Sequence, residues 1–248
     1  MKLFNNGKNK VRRDKKGSVT VILAAAGSGT RLGGVSKPLM NILGKTAIEY
    51  SLEIFENIAD ITRIVISTKD EDIEKYESIV KSRSFKKVIG IIPGGSTRGE
   101  SVAKAFRYAF EDRITDFVAI HDAARPLITE KAVKDAIGEA KHYGTAVCAS
   151  LCPDTVKRAG KGGFVTESIS RDGLYLIATP QIFSYEIYST SLALAEKDGF
   201  EATDDSSLAL HAGFEIKLTE TSRDNIKLTY PGDILIAEAI LKSRKENI

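Results

Sequence analysis

The segment from Leu23 to Pro38, LAAAGSGTRLGGVSKP, combines the residue types that a polyphosphate requires. Ala25, Ala26 and Gly27 open a turn that Gly29 and Thr30 continue. Gly27 and Gly29 lack the Cβ atoms that would hold an anionic oxygen away from backbone N–H groups. Arg31 and Lys37 follow with positive charge for a triphosphate, and for the extra charge that builds when one of its phosphorus atoms is attacked. A second segment, Gly94-Gly95-Ser96-Thr97-Arg98-Gly99-Glu100-Ser101, sets a glycine pair before polar residues that open a helix. Gly95, Ser96 and Ser101 there can meet a ligand, although a plain loop and an N-capped helix explain the same residues more simply. A third, His121-Asp122-Ala123-Ala124-Arg125-Pro126, follows an apolar run. Asp122 is suited to holding Mg2+ against phosphates, and Arg125 to receiving an anionic group. His121, beside a turn, reads as structural.

Spacing separates the first segment from two other phosphate loops. A Walker A loop requires G-x-x-x-x-G-K-[ST], and Gly44-Lys45-Thr46 supplies only its last three residues, with Leu39 where the opening glycine belongs. A dinucleotide-binding G-x-G-x-x-G loop fails because Leu32 takes the place of the third glycine. It also requires an acid at the end of the second strand, where the chain has Thr68 and Lys69.

These residues need a frame, and strand-length apolar runs alternate with segments of helical period, the pattern of a parallel sheet covered by helices. Strands are predicted over 19–25, 63–67, 87–92, 117–120 and 146–151, and helices over 47–58, 73–80, 101–110 and 130–143. The rhythm breaks at 152–175, where Pro153, Gly160, Gly162, Gly163 and Gly173 predict a β-rich arm. Helices return at 185–195, 204–212 and 233–242, with a strand at 214–218 and a short extended piece at 226–229. The expectation is a single α/β domain over 18–248: a Rossmann-like, mostly parallel sheet flanked by helices, from which the arm protrudes.

Composition narrows the class further. Of 248 residues 42% are hydrophobic and 28% charged, as in a globular protein with a real core. The net charge of +3 conceals an asymmetry: residues 1–17 hold seven Lys/Arg and one Asp, a net of +6, which leaves −3 for the rest. The leader reads as disordered and solvated, and a body of that charge is not a nucleic-acid binder. No apolar run approaches the roughly 18 residues of a membrane span, and no secretory signal is evident. Cys148 and Cys152 fit neither a disulfide framework nor a zinc site, which points to the cytoplasm.

The A-A-G-x-G-x-R-[LM]-G pattern with its following lysine is similar to the signature of nucleotidyltransferases that activate sugars and polyols. Further along come Asp154-Thr155-Val156-Lys157, Arg171-Asp172-Gly173-Leu174, Ala178-Thr179-Pro180-Gln181, Thr203-Asp204-Asp205 and Arg223-Asp224-Asn225-Ile226-Lys227. Taken in this order, over about 19–241, they resemble the 2-C-methyl-D-erythritol 4-phosphate cytidylyltransferase family. The resemblance implies transfer of CMP from CTP to that polyol phosphate, with Mg2+ and release of pyrophosphate, in non-mevalonate isoprenoid synthesis. It implies that Arg31 and Lys37 stabilise charge at the α-phosphate and that Gly95 to Ser101 reads the cytosine. Asp122 and Asp224 would sit at the metal, and Arg125, Thr179 and Lys227 would face substrate and reacting phosphates. Thr155 and Arg171 would reach a second subunit on the arm, making a homodimer, with Arg171 neutralising the 4-phosphate. Pro153 stands where some relatives carry a basic residue. Ribitol 5-phosphate cytidylyltransferases share this chemistry, but Ala123-Ala124 and Gly173-Leu174 favour the methylerythritol enzymes. A non-catalytic nucleotide-binding protein is the alternative of another class, and it would be expected to have lost Arg31, Lys37, Asp122 or Lys227.

Overall fold

The structure, a computed structural model, describes residues 16–27 and 36–246. Gly29, Thr30, Arg31 and residues 1–15 of the basic leader lie outside the described residues. The first half runs β1 (Val19–Ala24), β2 (Asn41–Ile42), β3 (Lys45–Thr46), α1 (Ala47–Asn57), β4 (Ile61–Thr68), α2 (Ile73–Arg83), β5 (Val88–Pro93), α3 (Arg98–Ala109) and β6 (Phe117–Asp122). It continues with α4 (Glu130–Tyr143), β7 (Thr145–Leu151), β8 (Val156–Ala159), β9 (Val165–Ile169) and β10 (Tyr175–Ser184). The chain then closes with α5 (Tyr185–Asp198), α6 (Asp205–His211), β11 (Leu218–Glu220) and α7 (Gly232–Glu246).

Seven strands form one sheet in the order β11-β7-β10-β6-β1-β4-β5. The pairings of β1 with β4 and β6, of β4 with β5, and of β7 with β11 are parallel, whereas β10 runs antiparallel to both neighbours. Successive side chains of a strand point to opposite faces, so a strand covered on both sides must be apolar throughout. β1 shows this directly. Val19, Val21 and Leu23 pack on one face with α1, α2 and α4, while Ile22 packs on the other with α3, α5 and α6. A third, smaller cluster joins Ile42, Ala47, Ala124, Leu127, Leu228 and Ala237. Through it α7 buttresses the loops that follow β6 and β11. Among the described residues no helix is long and apolar enough to cross a membrane.

The mostly parallel sheet, its flanking helices and the hairpin of β8 and β9 agree with the sequence pattern, and α4 has the predicted bounds. Four differences have physical causes. β10 was not predicted, because Pro180 and the polar pair Thr179 and Gln181 interrupt its apolar pattern. Pro has no N–H for the ladder, and the pairing of β10 with β7 shifts register between Ile177 and Gln181. The strand expected at 214–218 begins only at Leu218. Before it, Thr145 Oγ1 donates to the Glu215 carbonyl and accepts from Lys217 N–H, replacing the ladder with side-chain bonds. The piece at 226–229 pairs in no strand; Leu228 N–H is held instead by the Ala124 carbonyl at 2.9 Å. Finally, α3 starts three residues earlier than expected, with Thr97 Oγ1 accepting from Glu100 N–H as its N-cap.

Candidate active site

The carboxyl ends of β1, β5 and β6 lie together, where open α/β sheets form a crevice. A cleft of about 360 Å3 opens there, lined by Ala24–Gly27 after β1, Lys37 and Pro38, Gly95–Arg98 and Ser101 after β5, and Asp122, Ala124 and Lys227. Its walls require close backbone approach. A Cβ on Gly94 would stand 2.7 Å from Ala26 Cβ and 2.8 Å from Ser101 Oγ, so only glycine lets the two loops meet. Ser101 is buried and donates to the Thr97 carbonyl at 2.7 Å while accepting from Gly95 N–H at 2.9 Å. The base of the loop is therefore fixed before any ligand arrives.

A second cleft, of about 670 Å3, lies on the far side of Asp122 and takes in Arg125, Thr179, Gln181 and residues 203–207 except Asp205. Arg98, Asp122 and Lys227 line both clefts and so form the wall between them. Asp122 is only 7% exposed. Its Oδ1 accepts from Arg98 Nε at 3.0 Å and its Oδ2 from Lys227 Nζ at 2.7 Å, with Arg125 Nε at 3.8 Å. Burial alone would raise the Asp122 carboxyl, but the Arg98 guanidinium and the Lys227 ammonium outweigh it and hold the group well below the usual carboxylate range. Asp122 is therefore ionised at neutral pH.

A ring of hydrogen bonds fixes the second cleft. His121 Nε2 donates to the Arg125 carbonyl at 3.1 Å, which leaves Nδ1 to accept from the Thr179 hydroxyl at 3.0 Å. Thr179 Oγ1 accepts in turn from Asp122 N–H at 3.1 Å. Asn225 Nδ2 donates to the Thr179 carbonyl, and Arg125 Nη1 to the Asn225 carbonyl at 2.7 Å. β6, β10 and the 221–228 loop are locked together in this way, which accounts for His121 as a structural residue. Burial pushes its imidazole down to about 4. Unfolded histidine binds a proton near pH 6.5, so the stability that neutral His121 contributes is complete above that pH. It is lost as the pH falls towards 4, by about 3 kcal/mol at about 1.4 kcal/mol per unit. Urea titrations from pH 7 to pH 4 should show a steeper loss in the wild type than in His121→Gln; parallel curves would refute this.

The sequence-derived candidates divide into three groups. Ala25, Ala26, Gly27, Lys37, Gly95, Ser96, Ser101, Asp122 and Lys227 line the first cleft, and Asp122, Arg125, Thr179 and Lys227 the second. Thr155, Arg171 and Asp224 line neither. Arg171 is exposed on the arm and donates to the Pro153 carbonyl at 2.7 Å, and Asp224 is exposed with Arg244 at 3.6 Å. Gly29, Thr30 and Arg31 lie outside the described residues. Arg98 and Asp205 belong to the charged network; both stand inside segments quoted above, Gly94–Ser101 and Thr203-Asp204-Asp205, but neither has a role there of its own. A helix expected to start at 101 leaves Arg98 in a loop, and nothing local distinguishes Asp205 from a capping acid such as Asp204.

A family model described as IspD, 2-C-methyl-D-erythritol 4-phosphate cytidylyltransferase, matches residues 19–243. The protein of that name from Clostridium tetani is 37% identical over 222 residues, 89% of each chain. The Bacillus licheniformis protein of the same name is 34% identical over 228 residues, 92% of this chain and 97% of its own. Among solved structures, 4-diphosphocytidyl-2C-methyl-D-erythritol synthase from Anaerococcus prevotii superposes with a TM-score of 0.80 at 25% identity, covering 91% of this chain and 97% of that one. The 2-C-methyl-D-erythritol 4-phosphate cytidylyltransferase of Thermus thermophilus gives 0.74 at 26% identity, covering 91% and 99%. A match that spans the sheet, both clefts and the arm makes this chain a member of the 2-C-methyl-D-erythritol 4-phosphate cytidylyltransferase family.

Proposed function

We propose that the family's reaction takes place where the two clefts meet, with CTP along the first and 2-C-methyl-D-erythritol 4-phosphate entering from the second. The chain is a nucleotidyltransferase of isoprenoid biosynthesis. An oxygen of the polyol phosphate attacks the α-phosphorus of CTP, the bond from that phosphorus to the bridging oxygen breaks, and pyrophosphate leaves. The product is 4-diphosphocytidyl-2-C-methyl-D-erythritol. The observation that carries this reading is the wall shared by the clefts, which presents Lys227 and Arg98 to both sides at once. A phosphate monoester, with its second pKa near 6, is already largely a dianion at pH 7, so no general base is required. Catalysis rests on positioning and on stabilising negative charge.

In the first cleft, Ala25, Ala26 and Gly27 meet the triphosphate and Lys37 stabilises charge at the α-phosphate; Gly29, Thr30 and Arg31, outside the described residues, keep the roles that the family resemblance implies. Gly95, Ser96 and Ser101 read the cytosine and ribose. In the second, Arg125 and Thr179 face the polyol phosphate. Asp122 is the residue that would hold Mg2+, since its ionised carboxylate borders the first cleft, and the ion would share Oδ2 with Lys227 and Oδ1 with Arg98. Among the described residues no group of three or more His, Cys, Asp or Glu could hold a metal by itself. When bound, the ion neutralises charge on the departing pyrophosphate. Asp224, the second candidate ligand, lines neither cleft, so the fit rests on Asp122.

The arm supports a homodimer. A two-stranded hairpin alone is marginal in water, yet all of β9 but Ile169 is exposed, with Phe164 79% and Val165 63% accessible. A second copy of the chain would cover these side chains and receive Thr155 and Arg171 at its own second cleft, where Arg171 would neutralise the 4-phosphate. The enzyme would reside in the cytoplasm, where buried thiols such as Cys148 and Cys152 stay reduced.

Pyrophosphate release from CTP and Mg2+ tests the reading, with methylerythritol 4-phosphate and ribitol 5-phosphate in parallel. Turnover with the first alone is expected. Turnover with the second alone would reassign the acceptor, and none with either would leave only nucleotide binding. For the arm, Arg171→Ala and Lys227→Ala subunits, each inactive alone, should regain up to about a quarter of wild-type activity when mixed and allowed to exchange, because a statistical half of the dimers then hold one intact site. Absence of complementation in demonstrably mixed dimers would place Arg171 in its own subunit's site.

A further inference from the structure

We propose that Arg98 is a positioning residue for this reaction, and that Asp205, which lines neither cleft, acts on turnover through it. The inference rests on the functional reading above. Arg98 is the first residue of α3, and its guanidinium spans two acids from different elements: Nε donates to Asp122 Oδ1 at 3.0 Å, and Nη1 lies 2.8 Å from Asp205 Oδ2. Asp205 opens α6, is 3% exposed, and accepts from the Tyr188 hydroxyl on its other oxygen at 2.9 Å. Tyr188 belongs to α5 and is buried in the core, so Asp205 is fixed from that side.

The consequence runs outward. With Oδ1 of Asp122 held by Arg98, Oδ2 is turned to Lys227, whose ammonium sits 2.7 Å away on a side chain 42% exposed. A lysine side chain carries about 2 kcal/mol of rotamer entropy and is held here, among the described residues, by its contact with Asp122. The direction of the Asp122 carboxylate therefore decides where the Lys227 charge sits relative to the reacting phosphates. That direction is set by an arginine anchored at its far end in the core. Burial works against the charge of Arg98, but Asp205 and Asp122 outweigh it and keep it ionised. A guanidinium suits this role because its donors lie in one rigid plane, whereas an ammonium would offer no fixed angle between the two acids.

The test compares the full-length wild type with Arg98→Met, Asp205→Asn and the double variant. It measures kcat and KM for both substrates, with urea midpoints to correct for the folded fraction. Arg98→Met is expected to lower kcat about 100-fold with KM for CTP changed by less than about threefold. Asp205→Asn keeps shape and fold but withdraws the charge, and should lower kcat about tenfold although it touches no cleft. The double variant should be no slower than Arg98→Met, because the two residues act in one chain. Three results would overturn the inference while leaving the reaction intact: a rise in KM for CTP as the main effect of Arg98→Met, silence of Asp205→Asn, or multiplying losses in the double variant. A wild type without turnover on either polyol phosphate would instead overturn the functional reading beneath it.

Discussion

Lys227→Ala is expected to lower kcat by about 100- to 1,000-fold, the roughly 3–4 kcal/mol typical of removing one donor aimed at developing charge. Lys227, like Arg98, lines both the first and the second cleft, and it lies 2.7 Å from Asp122. A charge at that border is poised to interact more strongly with the pentavalent arrangement than with either substrate alone, which is what raises kcat rather than affinity. The fold should survive, since Asp122 keeps its bond to Arg98 and the lysine is 42% exposed. Lys37→Ala should fall by a similar factor, but with a rise in KM for CTP as well, because Lys37 lines the first cleft only. Steady-state kinetics on folded protein check both. Near-normal turnover in the two variants would remove them from the chemistry.

Asp122→Ala should combine a catalytic loss with a structural one. The carboxylate compensates Arg98 and Lys227 and approaches Arg125. Removing one partner of a buried ion pair typically costs 3–5 kcal/mol, about what leaving the other charge buried costs. Here the figure belongs at about 3 kcal/mol, because Lys227 can turn to water and Arg98 retains Asp205. Differential scanning calorimetry and urea unfolding would measure it, alongside turnover reduced by at least 100-fold from the misplaced cations and, on the proposed reading, the lost Mg2+ ligand. Unchanged stability would show that the network contributes nothing net to folding. Unchanged turnover would remove Asp122 from both the metal and the positioning of Lys227.

Local signals were strong where one residue type satisfies a requirement unaided. A glycine pair lets two loops touch, as at Gly94 beside Ala26. Burial on both covered faces makes β1, β4 and β6 read as mostly apolar runs, and α4 shows its 3.6-residue period between Thr129 and Gly144. Signals were weak where a strand carries buried polar residues. β10 holds Thr179 and Gln181 at 4% and 1% exposure, each satisfied by partners far along the chain. To a reader of neighbours alone, that stretch looks like a loop.

The sequence alone determined the α/β alternation, the glycine-containing turn after β1, the arm and most of the residues that line the first cleft. Their types and spacings are dictated by period, backbone freedom and charge, all of which act over a few residues. Only the tertiary structure decided that β10 enters the sheet antiparallel between β6 and β7, and that Asp122, Lys227 and Arg98 form one wall between two clefts. It also joined Arg98 to Asp205, 107 positions along the chain. Ion pairs and hydrogen bonds of such separation are fixed by where the packed helices and strands end, and no local pattern encodes which acid an arginine will meet.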